Sequence, residues 1–116
     1  MNYKPIIIVA GEPFSIFTEI LFKALRRNNF KRPIILIISK KLLIKQMTKL
    51  NFNFNFLLIN KNKIELNKLS YKKINVIDVE FSFKKTFSKI TNKSNKYISE
   101  CFNVAISLLK KNKYAG

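Results

Sequence analysis

The chain of 116 residues has no histidine and no tryptophan, one cysteine, two glycines, three prolines and six acidic residues. Each shortage excludes something. Without histidine there is no imidazole base and no imidazole ligand, and a single thiol cannot complete a zinc site. Whatever this chain does alone is not histidine-based catalysis. Cys101 has no partner for an internal disulfide, so nothing points to an oxidising compartment, and a reduced cytoplasm is the expected setting. Two glycines cannot supply G-x-G-x-x-G, and no G-K-[ST] follows Gly11, so neither a dinucleotide turn nor a P-loop is written here. The longest apolar runs, Ile6 to Ala10 and Ile34 to Ile38, are far too short to span a bilayer, and the amino terminus lacks the charged-then-apolar pattern of a signal peptide. No membrane partner is expected.

Positive charge is what the chain has in excess: 23 Lys and Arg against 6 Asp and Glu, a formal net charge of +17. Lysine outnumbers arginine 20 to 3, and Lys, Ile and Asn together make 51 of the 116 residues, the three amino acids with the most A/T-rich codons. Base composition accounts for that excess. A nucleic-acid surface favours arginine and clusters its charge, whereas these lysines are spread over almost every polar segment, so no specific nucleic acid is expected as a partner. The alternative reading is a small basic α/β nucleic-acid-binding module, with Phe52, Phe54 and Phe56 as a stacking platform among the lysines. Half-buried phenylalanine in a strand is the commoner use of such a stripe.

The order of elements points to an α/β fold. Ile6 to Ala10 is an unbroken apolar run, as expected for a strand covered on both faces in a parallel sheet. Gly11, Glu12 and Pro13 break it. A helix follows from Ser15, with Ile16, Ile20 and Ala24 flanked by Phe17, Leu21 and Leu25 in one broad apolar stripe. Pro33 to Ile38 repeats the strand, and Ser39 caps a helix through Leu42, Leu43 and Met47 to about Leu50. Asn51 to Asn55 alternates with Phe52, Phe54 and Phe56 and reads as a strand continuing to Ile59. Asn60 to Tyr71 is a connector, Ile74 to Val79 a strand, and Lys84 to Lys93 a loop. Ser94 opens a helix with Ile98, Cys101, Phe102, Ala105, Leu108 and Leu109 on one face, Lys110, Lys111 and Lys113 in its last turn and Gly116 as its cap. Cys101 is a small core residue on that face. In α/β topology the next element would be a strand, and none follows, so the chain is expected to be a single incomplete α/β domain over 1–116.

The turn at Gly11 sits where open α/β sheets place their ligand crevice, at the carboxyl end of a strand and the start of a helix. Lys4 to Pro13, followed by Ile16, Glu19 and Ile20, resembles the amino terminus of the 4-hydroxythreonine-4-phosphate dehydrogenase family, which opens with a strand and G-[DE]-P-x-G-I-G-P-E. Gly11, Glu12, Pro13, Ile16 and Glu19 match; Ser15, Phe17 and Thr18 stand where the family has Gly, Gly and Pro. The Ser39-Lys40 exit and the Ser94 to Lys111 helix fit the same order of elements. The resemblance spans the whole chain but about the first third of the family's length.

It implies a partial three-layer sandwich with a mainly parallel sheet, the amino-terminal part of an isocitrate-dehydrogenase-like two-domain fold. It implies a homodimeric, cytoplasmic enzyme of pyridoxal 5'-phosphate biosynthesis that oxidises and decarboxylates 4-phosphooxy-threonine with NAD and a divalent metal held by histidines. Those histidines lie beyond the matched third, so no catalytic, cofactor-binding or metal-binding residue carries over and this piece is expected to be inactive alone. Gly11, Glu12, Pro13 and Glu19 would line one wall of the cleft. Asp78 and Glu80, closing a strand, are expected to be solvated.

Overall fold

The computed structural model describes residues 4–10, 17–27, 32–81, 94–111 and 113–115. Four strands, β1 (Ile6–Val9), β2 (Ile34–Ile38), β3 (Phe56–Leu58) and β4 (Ile74–Asp78), form one parallel sheet in the order β1-β2-β4-β3. Three helices, α1 (Phe17–Arg27), α2 (Lys40–Leu50) and α3 (Ser94–Leu109), cover it. None of them is long and apolar enough to cross a membrane.

The period-two alternation of the strands separates two cores. Ile7 on β1, Ile35 and Ile37 on β2 and Ile77 on β4 pack with Tyr97, Cys101, Ala105 and Leu108 of α3. Leu36 and Ile38 on β2 and Ile74 and Val76 on β4 pack with Leu21 and Phe22 of α1 and Leu43 and Met47 of α2. The sandwich thus has three layers, with α1 and α2 on one face and α3 on the other. Central β2 is buried at every position, whereas β1 is only partly covered at Ile6, Ile8 and Val9. The expectation of a first strand covered on both faces therefore fails in part, because β1 lies toward the edge of the sheet.

Local chemistry fixes the helix ends. Ser39 is the N-cap of α2, its Oγ accepting the Leu42 N–H at 3.2 Å. At the other end Asn51 adopts a left-handed conformation, φ 59° and ψ 35°, and the Phe52 N–H reaches back to the Met47 carbonyl at 3.0 Å. An asparagine tolerates that region where a larger residue resists it. The Phe-Asn alternation is split as a result: Asn51 ends a helix, Phe52 to Asn55 is irregular, and pairing begins only at Phe56.

The apolar stripes of α1 and α3 are broader than the faces they bury. On α1 the buried residues are Thr18, Leu21 and Phe22, while Ile20 and Ala24 are exposed. On α3 they are Tyr97, Cys101, Ala105 and Leu108, while Phe102 and Leu109 are exposed. Helix α3 ends at Leu109, so Lys110 and Lys111 follow it instead of forming its last turn. The chain then returns to the sheet, where Ala115 makes a parallel bridge to Ile6. Strand pairing therefore does resume after the last helix, against expectation. Ser15, Ile16, the 84–93 loop and Gly116 lie outside the described residues.

Candidate functional site

Parallel strands bring all their carboxyl ends to one edge, and the side chains that carry chemistry gather there. Asp78 closes β4, and its Oδ1 accepts the Lys40 N–H at the start of α2 at 2.8 Å. The first turn of a helix presents unpaired N–H groups and the positive end of the helix dipole. Asp78 occupies that position, so the α2 N-terminus, otherwise an anion site, already holds a carboxylate from its own chain. The strand-end aspartate is solvent-exposed, as expected, but its carboxylate is engaged with the backbone.

A second tie crosses the sheet from below. The Ser39 N–H donates to the Tyr97 hydroxyl of α3 at 2.8 Å, in a buried setting, and the Tyr97 hydroxyl in turn meets the Cys101 thiol. Burial pushes the Tyr97 phenol well above its usual range, with the neighbouring Cys101 reinforcing the effect. Burial likewise raises the Cys101 thiol from 9.0 to about 11, partly opposed by the hydrogen bond from Tyr97. Both groups are therefore neutral near pH 7, and Cys101, fully buried, is an inert thiol. The ring of Phe81 lies 4.7 Å from that of Tyr97, which anchors the segment leaving β4.

Two grooves open on either side of the β4 terminus and share Asp78 and Glu80. One, of about 510 Å³, runs along α3 past Glu100, Asn103 and Ser107, with Lys61 and Lys111 also on its walls. The other, of about 460 Å³, lies over Ser39, Lys40, Lys41 and Phe81. Three of the six acidic residues of a strongly basic chain thus face the first groove. Among the described residues no group of three or more His, Cys, Asp or Glu is placed to hold a metal ion. With histidine absent as well, the residues present do not fit a catalytic metal.

Of the residues singled out in the sequence, Gly11, Glu12 and Pro13 lie outside the described residues. Glu19 stands in the first turn of α1, its Oε1 3.2 Å from Lys23 Nζ, and lines neither groove. One residue earlier, on the buried side, Thr18 is 4% exposed, and its Oγ1 has no hydrogen-bond partner among the described residues. The Phe52 and Phe54 rings, 5.9 Å apart, pack on Phe22 at 5.3 and 5.6 Å, and the Arg26 guanidinium covers Phe52 at 4.2 Å. Phe52 is core and Phe54 and Phe56 are half-buried against it, so the nucleic-acid alternative loses the first ring of its stacking platform.

The Asp78 cap and the Tyr97–Ser39 tie were not anticipated. A tyrosine at the start of an apolar helix face and an acid following an apolar strand were the available signals, but their partners lie 58 and 38 residues away.

No family model matches this chain, and no curated protein matches it in sequence. A search of solved structures finds the crystal structure of a 4-hydroxythreonine-4-phosphate dehydrogenase from Burkholderia phymatum, with TM-score 0.75 and 16% identity over 97% of this chain. The chain spans 35% of that protein's length. The likeness establishes the fold: the chain has the three-layer α/β architecture of part of that dehydrogenase.

Proposed function

We propose that this chain is the amino-terminal part of an NAD-dependent 4-hydroxythreonine-4-phosphate dehydrogenase, which oxidises and decarboxylates 4-phosphooxy-threonine on the route to pyridoxal 5'-phosphate. The observation that carries the reading is a coincidence of two independent likenesses. A motif resemblance at Gly11 to Glu19 and a backbone likeness over 97% of the chain point to the same enzyme.

In this reading the chain contributes one wall of the cleft at the carboxyl edge of its sheet, through Gly11, Glu12, Pro13 and Glu19. The electrostatics assign a division of labour. Asp78 closes the α2 N-terminus to anions, which leaves the start of α1, with Thr18 in its first turn, as the position suited to a phosphorylated substrate. NAD and a divalent metal would be held by the remainder of the enzyme, as would a second subunit of a homodimer, and no step is assigned to either group here.

The test is a chimera in which residues 1–116 replace the matched third of the Burkholderia phymatum enzyme. Given NAD, a divalent metal and 4-phosphooxy-threonine, the chimera is expected to form NADH, and the 116-residue protein alone to form none. A folded chimera without turnover, or turnover by the short protein alone, would overturn the reading.

A further inference from the structure

A polar side chain inside β4 is unexpected for a strand covered on both faces. Asn75 is 0% exposed and stands among Ile74, Val76 and Ile77. Burying an amide costs free energy unless its groups are paired, and here both its oxygen and its nitrogen are. The Asn75 Oδ1 accepts the Ser70 N–H at 2.8 Å, while its Nδ2 donates to the Ser70 carbonyl at 2.9 Å and to the Ile34 carbonyl at 3.0 Å. Ser70 is thereby held beside the start of β2. Its own Oγ accepts the Lys72 N–H at 3.2 Å and the Lys73 N–H at 2.8 Å. The buried amide thus fixes the turn that carries Tyr71, Lys72 and Lys73 into the strand.

That turn lines a groove of about 840 Å³ at the amino-terminal edge of the sheet, where β2 and β4 begin at Ile34 and Ile74. The grooves that share Asp78 open at the opposite edge. Small-molecule sites occupy about 300–1,000 Å³, so the size is suitable. Two kinds of side chain meet there. Arg32, Lys72 and Lys73 bring three cations, and no acidic residue is among the described residues that line the groove. The grooves at the carboxyl edge, by contrast, offset their lysines with Asp78 and Glu80. Half-buried Phe54 and Tyr71, which is 57% exposed, bring two aromatic rings. A concave site of one charge sign concentrates ions of the other. Cationic donors form strong hydrogen bonds to phosphate oxygens, and aromatic side chains stack on flat rings.

We infer that this groove binds a small phosphate monoester bearing a planar ring, the chemistry of a mononucleotide, with Arg32, Lys72 and Lys73 on the phosphate and Tyr71 and Phe54 on the ring. The site lies at the sheet edge opposite the cleft of the proposed function and does not rest on that reading.

Adenosine 5'-monophosphate, inorganic phosphate and adenosine are the probes, each titrated into the 116-residue protein. The salt is about 150 mM, where exposed charges are screened beyond about 8 Å. Backbone amide shifts at residues 71–74 locate the ligand. The nucleotide is expected to move these amides and to bind about tenfold or more tighter than either fragment. Lys72→Gln with Lys73→Gln keeps the backbone bonds to Ser70 and is expected to weaken it about tenfold or more. Tyr71→Ala is expected to weaken the nucleotide about fivefold and to leave inorganic phosphate unchanged. Lys40→Gln with Lys41→Gln removes the same charge at the other edge, and its effect should stay below about twofold. Unmoved amides at 71–74, equal weakening by the two lysine pairs, or a nucleotide bound no tighter than phosphate each overturn the inference. An oligo-dT strand that moves the same amides and binds more tightly than the nucleotide would assign the groove to single-stranded nucleic acid and also overturn it.

Discussion

Phe22 joins the first helix to the segment after the second, because its fully buried ring meets both Phe52 and Phe54. Phe22→Ala is expected to cost about 3–5 kcal/mol through lost burial and the cavity left behind, read as a lower denaturation midpoint. Phe22→Leu, which keeps most of the volume, should cost less. On the opposite face the pH dependence of stability belongs to Cys101 and Tyr97. Both are acids whose neutral form is favoured by burial, so their folded values lie above the unfolded ones. The unfolded chain then releases these protons first. Stability is intact below pH 9.0 and falls as pH rises toward about 11, where Cys101 titrates in the folded state, a loss on the order of 3 kcal/mol from that thiol. Cys101→Ala should flatten the decline between those values in a series of unfolding curves, and an unchanged slope would remove Cys101 from the account.

The ends of α2 show how much of an element is written locally. Its start was legible because Ser39 precedes the helical spacing and caps it. Its end was not, because Asn51 belongs to a Phe-Asn alternation that imitates a strand until Asn51 turns left-handed. Asn51→Gly should be neutral or slightly stabilising, and Asn51→Val should cost about 1–2 kcal/mol in thermal or chemical unfolding, since a β-branched side chain resists positive φ. Equal stability of the two variants would contradict the left-handed cap. The strands β1, β2 and β4 were legible from β-branched runs alone. The Asp78 cap was hidden because hydrogen bonds between segments far apart in sequence leave no periodic trace. The stripes on α1 and α3 misled in one direction only: Ile20, Phe102 and Leu109 read as core, yet stand exposed.

At the scale of the whole molecule the decisive quantity is charge. A net +17 on 116 residues attracts any polyanion, so retention on DNA is not by itself recognition. Recognition needs base stacking or bidentate contacts, and of the Phe52, Phe54 and Phe56 stripe the first ring is buried in the core. Phe54 is half-buried against Phe52 and Phe22, and Arg26 is stacked on Phe52. The two ion pairs among the described residues, Lys23–Glu19 and Lys68–Glu65, are local and exposed, so they leave the field nearly intact. Binding to duplex DNA should accordingly be indifferent to sequence and fall steeply with salt, by several decades between about 50 and 200 mM, in fluorescence anisotropy with unrelated duplexes. A preference among sequences that survives the higher salt would show a base-reading surface and restore the nucleic-acid alternative. Lys40→Glu with Lys41→Glu, beside the Asp78 cap, should lower that affinity no more than an equal charge change at Lys72 and Lys73, because a diffuse field registers total charge and not position.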